Sequence, residues 1–230
     1  VMAGAQQVLN AAGCPIIGGH TGEGAELTIG LTINGTADPG VITRKTCLED
    51  GAVLILTKPI GSGALLAAAA AGRARGRDVQ AALDTLKQSS AEAADILIRQ
   101  GAKGLTDVTG FGLAGHLREM LAGTSLAARL HLDDIPVLDG AREAVAAGIV
   151  SSLQAANIAA AGGVDADTAR RNSPAFQLLF DPQTAGGLLA GLPPGSADRA
   201  LSELKAAGYA RAAIVGTVES TSPTGRIRIV

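Results

Sequence analysis

Apolar positions along the 230-residue chain recur in two rhythms. Glu26 to Asn34 alternates, with Leu27, Ile29, Leu31 and Ile33 on one face and Thr28 and Thr32 on the other, which predicts a strand. Before it, Met2 to Ala12 has helical composition and stops at Gly13, with no capping residue ahead of it. A helix opening without its cap implies further sequence upstream. Asn34-Gly35 and Asp38-Pro39-Gly40 are turn signals that place a boundary near residues 35–41, dividing the chain into 1–38 and 39–230. Beyond it, short apolar runs predict strands at 52–57, 105–109, 126–132, 176–180, 187–190, 212–218 and 226–230. Helices are predicted after Gly61-Ser62-Gly63, over Asp78 to Gln100 as one or two, and over Phe111 to Leu121. The last has apolar residues at 113, 114, 117, 120 and 121, one face of a helix. Further helices fall at 139–147, 152–161 and 196–207. This interleaving is that of a mixed α/β layout, a sheet covered by helices.

Composition narrows the picture. Apolar residues make up 47% of the chain and charged residues 17%, enough to bury a core and too apolar for disorder. The 45 alanines and 31 glycines leave a third of the chain with little or no side chain, so the packed elements must approach closely. Nineteen basic against 21 acidic residues, and no basic run of five, give no electrostatic footprint for nucleic acid. The longest uniformly apolar run, Ala64 to Ala71, is far below the roughly 20 residues that cross a bilayer, so no membrane partner is expected. Cys14 and Cys47 have neither metal nor redox spacing, which points to a reducing, cytoplasmic setting.

Three segments concentrate polar groups among glycines. Gly110-Phe111-Gly112-Leu113-Ala114-Gly115 fits GxGxxG, with Asp133 and Asp134 downstream as in a dinucleotide fingerprint. The lead-in Thr106-Asp107-Val108-Thr109 argues against it, because a carboxylate there would repel a pyrophosphate. The same residues suit a metal-and-phosphate corner: Asp107 is a hard oxygen ligand of the kind Mg²⁺ bridges to phosphates. Equally, Asp107 and Thr109 could simply cap the following helix. Gly18-Gly19-His20-Thr21-Gly22-Glu23-Gly24 could wrap a phosphate with backbone N–H groups or be an ordinary glycine-rich turn. Phe180-Asp181-Pro182-Gln183-Thr184-Ala185-Gly186-Gly187 reads as a structural turn whose polar residues could line a site. His116 and His131 read as structural, and neither cysteine as an activated thiolate.

Taken in order, Gly-Gly-His-Thr-Gly-Glu-Gly at 18–24, Leu-Thr-Lys-Pro-Ile-Gly-Ser-Gly at 56–63, Thr-Asp-Val-Thr-Gly-Phe-Gly-Leu at 106–113 and Phe-Asp-Pro-Gln-Thr-Ala-Gly-Gly-Leu at 180–188 resemble the selenophosphate synthetase family. The resemblance implies a two-domain, aminoimidazole ribonucleotide synthetase-like α/β (α+β) fold with an ATP site between the domains. Residues 1–38 would be the rear of the first, ATP-binding and dimerising domain, and 39–230 the second domain, a mixed sheet covered by helices. It implies a homodimer that makes selenophosphate, AMP and orthophosphate from ATP, selenide and water, with Mg²⁺ on the phosphates. Asp107 would be a Mg²⁺ ligand, and Gly18, Gly19, His20 and Thr21 would contact ATP. The family's reactive Cys or selenocysteine, its nearby Lys and further metal-binding aspartates match nothing in this chain and are expected upstream. The chain alone is therefore expected to be inactive. Related superfamily synthetases or kinases, and a non-catalytic nucleotide-binding module, are the alternatives.

Overall fold

The computed structural model describes residues 1–220 and 225–230, and contacts divide the chain into two units, Val1–Gly40 and Val41–Val230. In the first unit α1 (Met2–Ala11) is the one regular element among the described residues, and no helix or strand forms over 14–38. The strand expected over Glu26 to Asn34 is therefore absent. Its alternating face stays open, with Leu27 87% and Ile33 74% exposed. A strand exists only through a ladder partner, and these 40 residues offer none.

The second unit opens with β1 (Val53–Leu56), α2 (Ser62–Ala70), α3 (Gly76–Lys87), α4 (Ala91–Arg99), β2 (Gly104–Asp107) and α5 (Gly112–Leu121). It continues through β3 (Ala127–Leu130), α6 (Ala141–Ala146), α7 (Gln154–Ala160), β4 (Val164–Asp165), α8 (Thr168–Arg171) and α9 (Pro174–Leu178). It ends with β5 (Leu188–Leu192), α10 (Pro194–Ala206), β6 (Ala213–Glu219) and β7 (Ile227–Ile229). The strands form one seven-stranded sheet in the order β2-β5-β1-β6-β3-β7-β4. Pairing is antiparallel from β2 to β3 and parallel where β7 joins β3 and β4.

Both faces of the sheet are covered, as the uniformly apolar strands require. On β1, Leu54 and Leu56 join a core that holds Leu113, Leu117 and Met120 of α5 and Leu178 of α9. Ile55 points to the other side, with Leu97 of α4 and Leu204 of α10. β5 is buried along its whole length. On α5 the expected face at 113, 114, 117, 120 and 121 is buried throughout.

The strand expected at 176–180 is instead α9. Phe176 to Phe180 has the residues of a strand, but Ser173-Pro174 just ahead is a helix start. The Ser173 side chain accepts from the Phe176 N–H at 3.2 Å, and Pro174 occupies the first turn. A local cap and a fixed φ outweigh β propensity when the product, here Leu178 and Phe180, is buried equally well. Ser173→Ala is expected to lower stability by about 1 kcal/mol, read as a lower urea midpoint at unchanged slope.

Candidate functional site

Antiparallel pairing sets the C-terminal ends of β1 and β2 beside the N-terminal end of β5, in the register Leu56↔Leu189 and Asp107↔Leu188. Three of the four motif segments leave the sheet at these ends, so topology alone gathers them. The Thr57 N–H donates to the Leu188 carbonyl at 3.0 Å, and the Thr57 hydroxyl accepts from the Leu188 N–H at 2.8 Å. Val108 N–H donates to Gly187 at 2.8 Å. Gly186-Gly187 passes so close to its neighbours that a Cβ on Gly186 would lie 2.1 Å from the Val108 carbonyl oxygen, and one on Gly187 would lie 2.5 Å from the Lys58 nitrogen. Only glycine fits at either position.

The 181–184 turn caps α2 from a distance of more than a hundred residues in sequence. Gln183 Oε1 accepts from the Gly61 N–H at 2.9 Å, the Ser62 N–H at 3.1 Å and the Ser62 hydroxyl at 3.1 Å. Asp181 Oδ2 accepts from the Gly63 N–H at 2.9 Å. Gln183 Nε2 donates back to the Asp181 carbonyl at 2.6 Å and to its carboxylate at 3.0 Å. Asp181 and Gln183 thus face inward as a helix cap, in line with the structural-turn reading, while the Thr184 side chain is exposed and only its N–H joins in, donating to the Ser62 hydroxyl at 2.9 Å. Lys58 is buried too: its ammonium donates to the Gln88 carbonyl at 2.6 Å and the Ala185 carbonyl at 3.3 Å, and burial holds its pKa below the ordinary lysine value.

The same turn holds the loop after β2. Gln183 N–H donates to the Thr109 carbonyl at 2.9 Å, and Asn157 Nδ2 donates to the carbonyls of Gly110 at 2.8 Å and Phe180 at 2.9 Å. Asp107 lies at the start of that loop, exposed, and no hydrogen bond or ion pair engages its carboxylate among the described residues. It does not cap α5, whose N-cap position, Phe111, carries no side-chain cap bond; α5 is anchored instead by Ala114 N–H donating to Leu179. An open, unengaged carboxylate suits one ligand position of Mg²⁺, which binds through one or two carboxylates plus phosphates and water. No group of three or more His, Cys, Asp or Glu side chains gathers among the described residues, so no closed metal cage forms.

Gly18, Gly19, His20 and Thr21 belong to the first unit and are exposed. Sequence reasoning passed over the polar contacts of His116. Its Nδ1 lies 3.1 Å from Glu119 Oε2 and its Nε2 lies 3.2 Å from Thr109 Oγ1. The His116/Glu119 spacing of three on α5 was the available signal. A cleft of about 330 Å³ opens beside this cluster, between Phe111, Glu119, Asn157 and Ala160. A larger one of about 700 Å³, at Arg75, Asp78, Arg142 and Arg211, lies among residues of none of the motifs.

Comparison with known proteins settles the lineage. The model of the C-terminal domain of AIR synthase related proteins matches residues 49–227. The chain belongs to this family. Among curated relatives of this AIR synthase related chain, the selenide, water dikinase of Trichlorobacter lovleyi is 39% identical over 201 residues, which is 86% of this chain and 57% of the relative. That of Paraburkholderia xenovorans is 35% identical over 230 residues, 100% of this chain and 64% of the relative. The chain thus spans about three fifths of the length of these relatives. Among solved structures, a hydrogenase maturation protein HypE superposes with a TM-score of 0.60 at 19% identity, covering 84% of this chain and 52% of that one. Thiamine-monophosphate kinase of Stenotrophomonas maltophilia gives 0.58 at 15% identity, covering 84% and 54%. At these identities the likeness establishes the fold, an AIR synthase-like α/β arrangement. Among the described residues no helix is long and apolar enough to cross a membrane.

Asp181 makes the cap sensitive to pH. Its carboxyl is fully buried, with Oδ1 lacking any partner, and burial pushes its pKa up to about 6 against the pull of the Gln183, Gly63 and Ala64 hydrogen bonds. With the folded value above the unfolded 3.8, the native state holds the proton more tightly. Stability from this group is full below about pH 4 and is lost as pH rises through 6, by about 3 kcal/mol at most. Asp181→Asn is expected to abolish that slope, so urea unfolding of variant and parent should converge near pH 4 and diverge in the variant's favour above pH 6.

Proposed function

We propose that the chain is part of a selenide, water dikinase, the enzyme that converts ATP, selenide and water to selenophosphate, AMP and orthophosphate. The relatives that carry this name match it at 34–39% identity over most of its length. Residues 1–38 are read as the rear of the ATP-binding, dimerising domain and 39–230 as the second domain of a cytoplasmic homodimer. The remaining two fifths of such an enzyme would hold the reactive Cys or selenocysteine and its lysine. The observation that carries the reading is Asp107, an exposed carboxylate left free beside a loop whose Thr109 and Gly110 carbonyls are both held.

In this reading Asp107 holds Mg²⁺ and Gly18, Gly19, His20 and Thr21 contact ATP. Mg²⁺, when bound, neutralises charge on the phosphates. The solved HypE structure in complex with ATP shares the fold at a TM-score of 0.59 and supports a nucleotide site in this family. Phosphoryl transfer asks mainly for positioning and charge neutralisation, and this chain supplies a rigid loop, a free carboxylate and a glycine-rich segment. Asp107 closes β2, paired with Leu188, two residues before the Thr109 carbonyl that the 181–184 turn holds.

Asp107→Asn tests the reading in the complete polypeptide. The amide keeps shape but is a poor Mg²⁺ ligand, so selenide-dependent AMP formation should fall at least about 100-fold, on the order of 3 kcal/mol. The melting temperature should not move, because the carboxylate supports no cap. Normal turnover in the variant would remove Asp107 from the site. Gly19→Val is expected to raise the Kd for ATP in the folded enzyme, since a branched side chain blocks close backbone approach. Unchanged ATP affinity would return residues 18–24 to an ordinary turn.

A further inference from the structure

We propose that Thr109 is a catalytic hydroxyl of this site, held as a proton acceptor for the reacting water by Glu119 and His116 as positioning residues. The proposal rests on the dikinase reading and assigns a group to the one reactant that nothing above accounts for, the water.

The direction of each hydrogen bond follows from the chemistry of the partners. Glu119 also pairs with Lys45, at 3.0 Å through its other carboxylate oxygen. An ionised carboxylate only accepts, so the proton between Glu119 Oε2 and His116 Nδ1 belongs to the imidazole. A neutral imidazole protonated at Nδ1 leaves Nε2 as an acceptor, and the Thr109 hydroxyl must donate to it across 3.2 Å. The hydroxyl proton is thereby tied inward. The lone pairs of Oγ1 remain for an outside donor, and a phosphate oxygen, which has no proton, cannot use them. A water can.

Position supports the same assignment. His116 is 6% exposed, with the Phe111 ring 5.5 Å from its own and its two ring nitrogens held by Glu119 and the Thr109 hydroxyl. Thr109 Oγ1 has no other partner among the described residues and caps no helix, so a purely structural task for it is not evident. Its backbone is fixed from both sides, with its carbonyl accepting from Gly112 at 3.0 Å and Gln183 at 2.9 Å. Two residues away stands Asp107.

The products define the step. ATP gives up two phosphoryl groups, one to selenium and one to water. Selenide is already an anion near neutral pH and needs no base; water does. As the water oxygen bonds to phosphorus, the bond from phosphorus to the departing nucleotide oxygen breaks, and that oxygen keeps the electron pair. The water proton passes to Thr109 Oγ1 while the Thr109 proton passes to His116 Nε2. The imidazolium so formed is paired with Glu119.

Kinetics of the complete polypeptide and ¹⁵N NMR of this chain test the relay independently. In Thr109→Val, kcat for orthophosphate and AMP formation should fall about 100-fold, the usual worth of general-base catalysis, with KM for ATP nearly unchanged. Thr109→Ser should restore most of the rate, and His116→Gln should match Thr109→Val at an unchanged melting temperature. The His116 ring should show the Nδ1–H tautomer, and lose that preference in Glu119→Gln. A Thr109→Val enzyme with parental kcat, a Thr109→Ser enzyme as slow as Thr109→Val, or an Nε2–H tautomer in the parent each overturns the relay while the dikinase reading stands. A parent that makes AMP from ATP with no need of selenide sinks the dikinase reading itself, and the assigned step with it.

Discussion

A helix that begins inside a protein must find acceptors for its first N–H groups, and α2 brings none of its own. Its N-cap is Gly61 at φ 112°, which has no side chain to offer. Each buried donor left unpaired would cost about 1–3 kcal/mol. Gln183 and Asp181 supply the acceptors from the far end of the unit, 122 and 118 residues away in sequence. This long-range cap fixes where the 181–187 segment lies, and through it the exit of β5, the loop after β2 and the start of α5. The cost is a fully buried carboxylate with one unpartnered oxygen. Its position at a helix N-terminus, where the dipole favours negative charge, offsets part of that cost.

The cap constrains the rest of the unit through sterics as well as hydrogen bonds. Gly186-Gly187 must pass between Val108 and Lys58 with no room for a Cβ. Buried Lys58 then closes the segment by donating to Ala185 while reaching Gln88 after α3. Asn157 of α7 ties the carbonyls of Gly110 and Phe180 together from the other side. Few alternative loop paths satisfy all these groups at once, which is how a sheet edge made of the four-residue β2 can hold a defined site.

Local signals in the sequence carried most of the second unit. The 3.6-residue period of α5, the apolar runs of β1, β5 and β6 and the turn glycines were each sufficient alone. The failures have two causes, a deciding partner that lay elsewhere and a local cap that was not weighed. Leu27 to Ile33 alternates correctly, yet a strand is a property of a pair, and no partner lies within the first unit. Phe176 to Phe180 reads as a strand until the Ser173 cap is weighed against it. Asp181, Gln183 and Thr184 look like site residues because polar groups beside apolar strands usually are. That Asp181 and Gln183 face the N-terminus of α2 is invisible without the fold. The ordered motifs revealed the lineage, and Asp107 could be singled out by type and spacing, but its freedom from any cap could not.

The distinction between engaged and unengaged polar groups is what connects this packing to chemistry. Around the β1, β2 and β5 ends nearly every donor and acceptor is spoken for: Thr57 by Leu188, Ser62 by Gln183 and Thr184, Asn157 by two carbonyls, Lys58 by two more. Against that background the Asp107 carboxylate and the outward lone pairs of Thr109 stand apart, two residues from each other on a loop that cannot shift without breaking the cap. Phosphoryl transfer makes little demand for covalent machinery and a strict one for fixed charges and fixed acceptors. A rigid surround that consumes its own polarity and leaves two oxygens free meets that demand by construction. The helix cap belongs to the same arrangement: Gln183 holds both the start of α2 and the Thr109 carbonyl, so a displacement of α2 would be transmitted through it to the reacting end before any residue that touches substrate had changed.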